Sequence, residues 1–216
     1  MMKLYMQTPA HFFGYTTRMT ADYCGYPYEL VIVGDELAND AAFKAKKAHH
    51  NFPIAELPDG TIISQSKAIA EFIAREAGNQ QFIGETAFQA AEIEQWISII
   101  QSTHVQKMVV VAYTQFGYSQ DKEAYEQAVN AIKDHAKMLD KALEGKSWLV
   151  GGTFTLADVV VFNSFIIPFS FVLDAGFRKA CLPNFSDYFE RISKMPVVAR
   201  SCGYVKMCEK SLKPQF

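Results

Sequence analysis

The fold is decided by residues 52–78, which read FPIAELPDGTIISQSKAIAEFIAREAG. Ile54–Leu57 and Thr61–Ile63 are short, mostly apolar runs on either side of Pro58–Gly60. Proline presets φ at the start of a turn and glycine accepts a positive φ, so the middle segment is typical of a tight turn. The stretch therefore predicts two short strands joined as a hairpin.

A helix is predicted directly after this hairpin. It opens at Ser64–Ser66 and stops at Gly78, and its apolar positions Ile69, Phe72 and Ile73 share one face. A helix N-terminus carries unpaired N–H groups and partial positive charge, so it can bind an anion. Gln65 and Ser66 add side-chain donors at this point. The pattern indicates an anion site or, equally well, a plain hairpin followed by a capped helix.

The residues before this stretch complete an α/β unit. Strands are predicted at 3–6 and 28–33, where β-forming residues cluster. A helix follows the loop at 8–11 and runs to about Tyr23, and a polar helix fits 39–48. The order β-α-β-α-β-β-α predicts a thioredoxin-like fold with a mixed sheet.

The second half carries almost no strand signal. Residues 78–81 are predicted to be a linker, and helical patterns cover 86–113 and 121–144. The fold class is therefore α/β plus all-α. Its predicted domains are a thioredoxin-like domain at 1–78 and an all-helical domain at 86–216.

A capping motif marks the start of a further helix. In the segment 153–158, Thr155 is a good N-cap and Asp158 stands where a carboxylate can reach back to it. This signal is structural and indicates no catalysis. Pro183 and Pro196 mark two more helix boundaries.

Composition narrows the class of protein. The 216 residues carry a net charge of −2 and are 50% hydrophobic, which is ordinary globular composition with no global attraction to nucleic acid or membrane. The four cysteines have neither zinc-site nor disulfide spacing, and no secretory signal is evident, so we expect free thiols, no metal and a cytoplasmic location. The apolar run 156–173 is interrupted by polar residues and predicts a buried core helix rather than a membrane span.

Pro53, Asp59-Gly60 and Gln65–Ile69 together resemble the glutathione-binding half of a glutathione transferase. The resemblance implies that glutathione is the ligand or substrate. It implies that Pro53 is cis, that the backbone of Phe52 pairs with the cysteinyl part of glutathione, and that Gln65 and Ser66 hold its γ-glutamyl carboxylate. His50 stands where some classes of the family bind the glycyl end, although it could equally belong to a solvated histidine pair.

The catalytic residue is not identified. The tyrosine-type classes use a hydroxyl near the end of the first strand, to stabilise the glutathione thiolate. Tyr5 lies one position early, where Met6 would be needed, and a one-residue offset turns a strand side chain to the opposite face. We therefore expect Tyr5 in the core. Thr8, His11 and Tyr15 are the candidates for classes that use the following loop.

The end of the chain resembles the transferase-like domain of elongation factor 1B gamma subunits. The most specific piece is Val205–Lys210, supported by 172–185 and 195–198. The resemblance implies a domain that scaffolds the guanine-nucleotide-exchange subunit, and a fragment or shortened relative of the longer gamma subunit. The alternative is a cytosolic transferase that conjugates glutathione to electrophiles. Family members often form homodimers, although no residue pattern here indicates one.

Overall fold

The computed structural model describes residues 1–9, 11–47 and 51–216. Its sheet has four strands in the order β2-β1-β3-β4. β1 is parallel to β2, with Leu4 opposite Leu30, and antiparallel to β3, which is antiparallel to β4. The predicted mixed sheet is confirmed. The strands are β1 Met2–Met6, β2 Tyr28–Ile32, β3 Ile54–Glu56 and β4 Ile62–Ser64.

Five helices accompany the sheet: α1 Phe12–Cys24, α2 Asp35–Asn39, α3 Ala41–Lys47, α4 Ser66–Glu76 and α5 Gln80–Ile83. The polar helix predicted at 39–48 is wrong in one respect, because the segment divides at Asp40. The backbone of Asp40 is extended and its Oδ1 accepts the N–H of Phe43 at 2.7 Å, which starts a new helix. Position 48 lies outside the described residues.

The stretch predicted as a linker is only partly irregular. Asn79 Oδ1 accepts the N–H of Phe82 at 3.3 Å, so Asn79 caps α5 and places Gln80 and Gln81 in that helix. This capping role of asparagine was not recognised in the sequence. The domain boundaries at residues 78 and 86 stay predictions.

The second half is helical, as predicted, and residues 86–216 contain no strand. The pattern at 86–113 is one helical rod interrupted by a π-helical turn, Ile100–His104. The helices are α6 Ala87–Ile99, α7 Val105–Gln115, α8 Lys122–Ala142, α9 Leu156–Phe171, α10 Ala175–Cys181, α11 Pro183–Ser193 and α12 Pro196–Cys202.

Helix α9 is the centre of this half. It is apolar around nearly its whole circumference, which fits a helix enclosed by others. Phe169 stacks on Phe189 of α11 with ring centroids 3.9 Å apart, and Phe165 meets Phe185 edge-on at 4.8 Å. No helix in the described part of the chain is long and apolar enough to cross a membrane.

The start of α9 is closed by its own capping box, as predicted from Thr155 and Asp158. Asp158 Oδ2 accepts the backbone N–H of Thr155 at 2.7 Å and its hydroxyl at 2.9 Å. Its Oδ1 accepts the N–H of Leu149 and the hydroxyl of Tyr188, at 3.0 and 2.9 Å. All donors near this buried carboxylate are therefore satisfied from within the chain.

Helix α1 joins the two halves. It packs against α4 on one side and against α9 and α12 on the other. Asn163 Nδ2 of α9 donates to Thr16 Oγ1 at 3.1 Å, and Ser201 of α12 donates to Asp22 at 2.7 Å. These contacts bring the N-terminal ends of α1 and α4 against the helical half, where a cleft opens.

Candidate functional site

A cleft of about 280 Å³ lies where α1 and α4 begin and the helical half closes over them. Among the described residues that line it, no side chain is charged. They are Phe12, Phe13 and Thr16 of α1, Gln65 and Ser66, Gln101 of the π-helical turn, Val105 and Met108 of α7, and Val160, Asn163 and Ser164 of α9. The structure thus brings two of the predicted site residues, Gln65 and Ser66, to one cleft.

Gln65 has an unusual backbone. Its φ of 73° and ψ of 121° make it the one non-glycine residue with positive φ in the described part of the chain. Such a conformation costs about 1–3 kcal/mol and persists where the surroundings enforce it. Here the carbonyl of Gln65 accepts the N–H of Ile69 at 3.0 Å, and Thr17 Oγ1 lies 3.5 Å from the carbonyl of Ser66. Strain of this kind clusters at functional sites.

The N-terminus of α4 is open. Gln65 stands at the N-cap position, and its side chain makes no capping hydrogen bond. The first N–H groups of the helix and the hydroxyl of Ser66 therefore remain available beside the cleft. Lys67 adds little positive charge, because its Nζ pairs with Glu71 at 3.1 Å and Glu94 at 2.6 Å. An anion here would be held by N–H groups and a hydroxyl.

The other predicted binding residues lie beside this helix start. The Phe52–Pro53 peptide bond is cis. Ile54, the first residue of β3, is paired with Ser64, the last residue of β4. Pro53 and Gln65, the next residues outward, therefore lie at the same end of this strand pair. The ammonium group of Lys47 lies 4.5 Å from the centroid of the Phe52 ring. His50 lies outside the described residues, and its role stays a prediction.

Tyr5 is part of the core, as expected. It is buried, and its hydroxyl donates to Glu56 Oε2 at 2.6 Å. Lys46 Nζ binds the other oxygen of Glu56, also at 2.6 Å. Burial and the neighbouring carboxylate raise the pKa of Tyr5 to about 12. Its hydroxyl is therefore occupied and remains protonated at neutral pH.

Met6 fills the position next to Tyr5 and packs against α1. It is fully buried, and a Cβ added to Gly14 would lie 2.3 Å from Met6 Cε. A larger residue at position 14 would therefore require the Met6 side chain or helix α1 to shift. The end of β1 thus presents a thioether and no hydroxyl.

The three candidates beyond the strand do not line the cleft. Thr8 is exposed. His11 stands at the N-cap of α1 without capping it, its Nδ1 is buried without a hydrogen-bond partner, and burial lowers its pKa. Tyr15 points to a different cleft, beside Cys202, and burial raises its pKa.

The cleft contains one hydroxyl on α1 that sequence reasoning missed. Thr16 is nearly buried, and its Oγ1 accepts a hydrogen bond from Asn163. A hydroxyl that accepts from an amide keeps its own proton for another acceptor. The one available signal was Asn163 itself, a polar residue in the apolar run 156–173.

The π-helical turn forms the opposite wall. It carries Gln101 at the cleft and ends at His104, which is fully buried. Nε2 of His104 lies 3.0 Å from the carbonyl oxygen of Ser164, which requires a proton on that nitrogen. Its Nδ1 lies 3.3 Å from Nδ1 of His135, and burial lowers its pKa to about 3. His104 is therefore neutral and structural.

Known proteins share both the sequence pattern and the fold. The model for the glutathione S-transferase N-terminal domain matches residues 13–76, and that for the C-terminal domain matches residues 98–196. Elongation factor 1-gamma-A of Xenopus laevis is 29% identical over 208 residues, which cover 94% of this chain and 47% of that protein. The chain thus spans about half the length of the curated relatives it matches.

Two solved structures show the same fold. The GST-like domain of elongation factor 1-gamma from Saccharomyces cerevisiae has a TM-score of 0.83 at 17% identity, covering 100% of this chain and 99% of that chain. A glutathione S-transferase-I bound with lactoylglutathione has a TM-score of 0.81 at 16% identity, covering 93% and 98%. The chain therefore belongs to the glutathione transferase superfamily and is similar to the transferase-like part of elongation factor 1-gamma.

Proposed function

We propose that the chain is the transferase-like domain of an elongation factor 1B gamma subunit, which scaffolds the guanine-nucleotide-exchange subunit during translation elongation. The observation that carries this proposal is the similarity to elongation factor 1-gamma-A along 94% of the chain. In this role the domain works in the cytoplasm through protein contacts, without binding nucleic acid or membrane directly.

The test of the scaffold is co-elution. The purified chain is mixed with the exchange subunit of the same organism at micromolar concentration and separated by size exclusion. We expect one complex, with both proteins in the same fractions. Separate elution of the two proteins would contradict the scaffold role.

We also propose that the domain still binds glutathione. The open N-terminus of α4, the strained backbone of Gln65 and the adjoining cleft support a site for the γ-glutamyl carboxylate at Gln65 and Ser66. The Phe52 backbone before Pro53 would pair with the cysteinyl part, and His50 would take the glycyl end, as the family resemblance implies. A calorimetric titration with reduced glutathione tests this. Binding in the micromolar to low-millimolar range is expected, and the absence of detectable heat would contradict it.

An active cytosolic transferase is the second candidate, and Thr16 is the observation that favours it. This hydroxyl is the donor in the cleft that could stabilise a glutathione thiolate, since Asn163 leaves its proton free. Against this stand the occupied hydroxyl of Tyr5 and the thioether of Met6.

Turnover distinguishes the two candidates. Under the scaffold proposal, the chain binds glutathione but does not conjugate 1-chloro-2,4-dinitrobenzene above the uncatalysed rate. Conjugation that is lost in Thr16→Val and retained in Thr20→Val, another buried α1 threonine that does not line the cleft, would establish the enzyme instead.

A further inference from the structure

Half of the large apolar side chains that stay exposed lie in two segments of the helical half. Twelve such residues occur in the described part of the chain, and six of them lie within residues 113–118 or 203–216. We call these six the aromatic face. They are Tyr113, Phe116, Tyr118, Tyr204, Leu212 and Phe216.

The residues of the aromatic face contact one another or share neighbours: Phe216 meets Tyr125 with ring centroids 5.8 Å apart, and Tyr204 and Leu212 line the same cleft. Tyr113 and Tyr118 meet edge-on with ring centroids 6.0 Å apart, and Phe116 meets Phe171 of α9 in the same way at 5.8 Å. The backbone N–H of Leu212 donates to the carbonyl of Phe171 at 2.8 Å. Scattered exposed apolar residues are normal on a protein, whereas a contiguous patch marks an interaction site.

The segment 203–216 has no helix or strand, yet it is fixed to the helical half. The N–H of Cys208 donates to the carbonyl of Phe169 at 2.9 Å, and the buried Arg178 donates to the carbonyl of Cys208 at 2.7 Å. Gln115 Nε2 donates to the carbonyl of Leu212 at 2.8 Å. The face is therefore formed before any partner arrives, which lowers the entropic cost of binding.

An apolar cleft opens beside this face. Its volume is about 630 Å³, and its lining includes Tyr204, Val205, Leu212 and Ile166. It shares no lining residue with the Ser66 cleft. A cleft of this size accepts one or two large apolar side chains, the form of anchor that dominates protein interfaces.

The rim is basic, although the whole chain has a net charge of −2. Lys206 and Lys210 lie at the cleft, and Lys213 follows along the same segment. Glu209 is the one carboxylate among the residues lining the cleft. In the described part of the chain none of these three lysines has an ion-pair partner, so their charges are free to meet acidic groups.

We propose that the aromatic face is the docking surface for the exchange subunit, and that it receives an apolar segment of that subunit flanked by acidic side chains. The proposal rests on the scaffold function. A second copy of the chain fits poorly, because a twofold contact sets the same patch against itself and would bring the lysine rims together. An acidic partner gains attraction from that rim and associates faster at low salt.

Affinity for the exchange subunit tests the proposal. It is measured by calorimetry for the wild-type chain, Phe116→Ala, Tyr118→Ala and Lys206→Glu/Lys210→Glu. The control is Phe88→Ala, whose ring is 73% exposed on α6 and lies outside the aromatic face. We expect each of the first three variants to lose about tenfold or more in affinity and the control to change little. In the charge-reversed variant the salt dependence should change sign, because salt would then screen a repulsion between carboxylates rather than an attraction.

The possible failures are distinct. If the wild-type chain binds the exchange subunit and the face variants bind equally well, the docking surface is wrong and the scaffold function stands. If the wild-type chain does not bind it, both proposals fall. If light scattering shows that the variants alter self-association and not binding of the exchange subunit, the face is a contact between copies and the proposal is overturned. Because the mutated side chains are exposed, circular dichroism should report an unchanged fold for each variant.

Discussion

Helices α9 and α4 begin in opposite ways. At α9, Thr155 and Asp158 pair with each other's backbone N–H groups in a capping box, and the carboxylate is fully buried. At α4, Gln65 adopts a strained backbone and its side chain caps nothing, so the donors face a cleft. A helix N-terminus therefore contributes to stability at α9 and stays available for a ligand at α4. Mutations should therefore separate stability from binding.

The largest effect is expected from Asp158→Ala. The change leaves the N–H groups of Leu149 and Thr155 and the hydroxyl of Tyr188 buried without their acceptor. We expect a loss of about 3–5 kcal/mol in the free energy of unfolding, measured by urea denaturation. Asp187→Ala, an exposed aspartate on α11, is the control and should stay within about 0.5 kcal/mol of wild type. A small loss for Asp158→Ala would show that water can replace the carboxylate.

Ser66→Ala should weaken ligand binding and leave stability unchanged, in contrast to Asp158→Ala. It removes a donor from the proposed carboxylate site, so glutathione binding should weaken by about 1–3 kcal/mol in a calorimetric titration. Its free energy of unfolding should hardly change, since the hydroxyl is not used by the capping of α4 and makes no hydrogen bond with the described residues. Thr155→Ala is the matched control at α9, with about 1 kcal/mol of lost stability and unchanged affinity. Unchanged affinity of Ser66→Ala would place the ligand elsewhere.

Burial of His104 should make the free energy of unfolding depend on pH. His104 has a folded-state pKa of about 3 because of its burial, whereas a histidine in the unfolded chain has a pKa near 6.5. The folded state therefore binds fewer protons below about pH 6.5, and stability falls as pH decreases from there towards about 3. The slope is about 1.4 kcal/mol per pH unit, or about 2 kcal/mol between pH 7 and pH 5.

Urea denaturation of wild type and His104→Gln across this range measures the effect. The variant will be less stable at pH 7, but its stability should depend less steeply on pH. His135, whose pKa burial also lowers, contributes in the same direction and remains in both proteins. Identical slopes would contradict a buried neutral His104.

The smallest expected change in the free energy of unfolding is that of Gln65→Gly. Glycine lacks a Cβ and tolerates a φ of 73° with a ψ of 121° with less strain than glutamine, so Gln65→Gly should stabilise the fold by at most about 1 kcal/mol after the added entropy of the unfolded chain is counted. The same change removes the side-chain amide and should weaken glutathione binding. Gln65→Ala keeps the strain and removes the amide, so it should weaken binding without stabilising the fold. A destabilised glycine variant would mean that the conformation is not strained.

Local signals explain what the sequence could predict. The hairpin at 54–63 and the capping box at 155–158 each depend on residues close together in the chain. Both could therefore be predicted from the sequence alone. The two-residue periodicity of a strand likewise sufficed to place Tyr5 in the core. Asp40 and Asn79 carried the same kind of signal, since both are good N-caps, and were overlooked.

The rest of the site depends on distant contacts. Thr16, Gln101 and Asn163 meet in one cleft although they are far apart in the chain, and no spacing rule relates them. The π-helical turn at 100–104 was likewise not indicated by the periodic pattern, and its contact to α9, between His104 Nε2 and the carbonyl of Ser164, joins residues 60 positions apart. The roles of Phe52, Pro53 and His50 come from resemblance alone, and the structure adds the cis geometry at Pro53.

The contact between Met6 and Gly14 couples the size of a strand residue to that of a helix residue. A Cβ at position 14 would lie 2.3 Å from Met6 Cε and 2.7 Å from Met6 Sδ, so a larger residue there would require the buried thioether or helix α1 to shift. The two positions therefore constrain each other, and a larger side chain at either one needs a compensating change at the other.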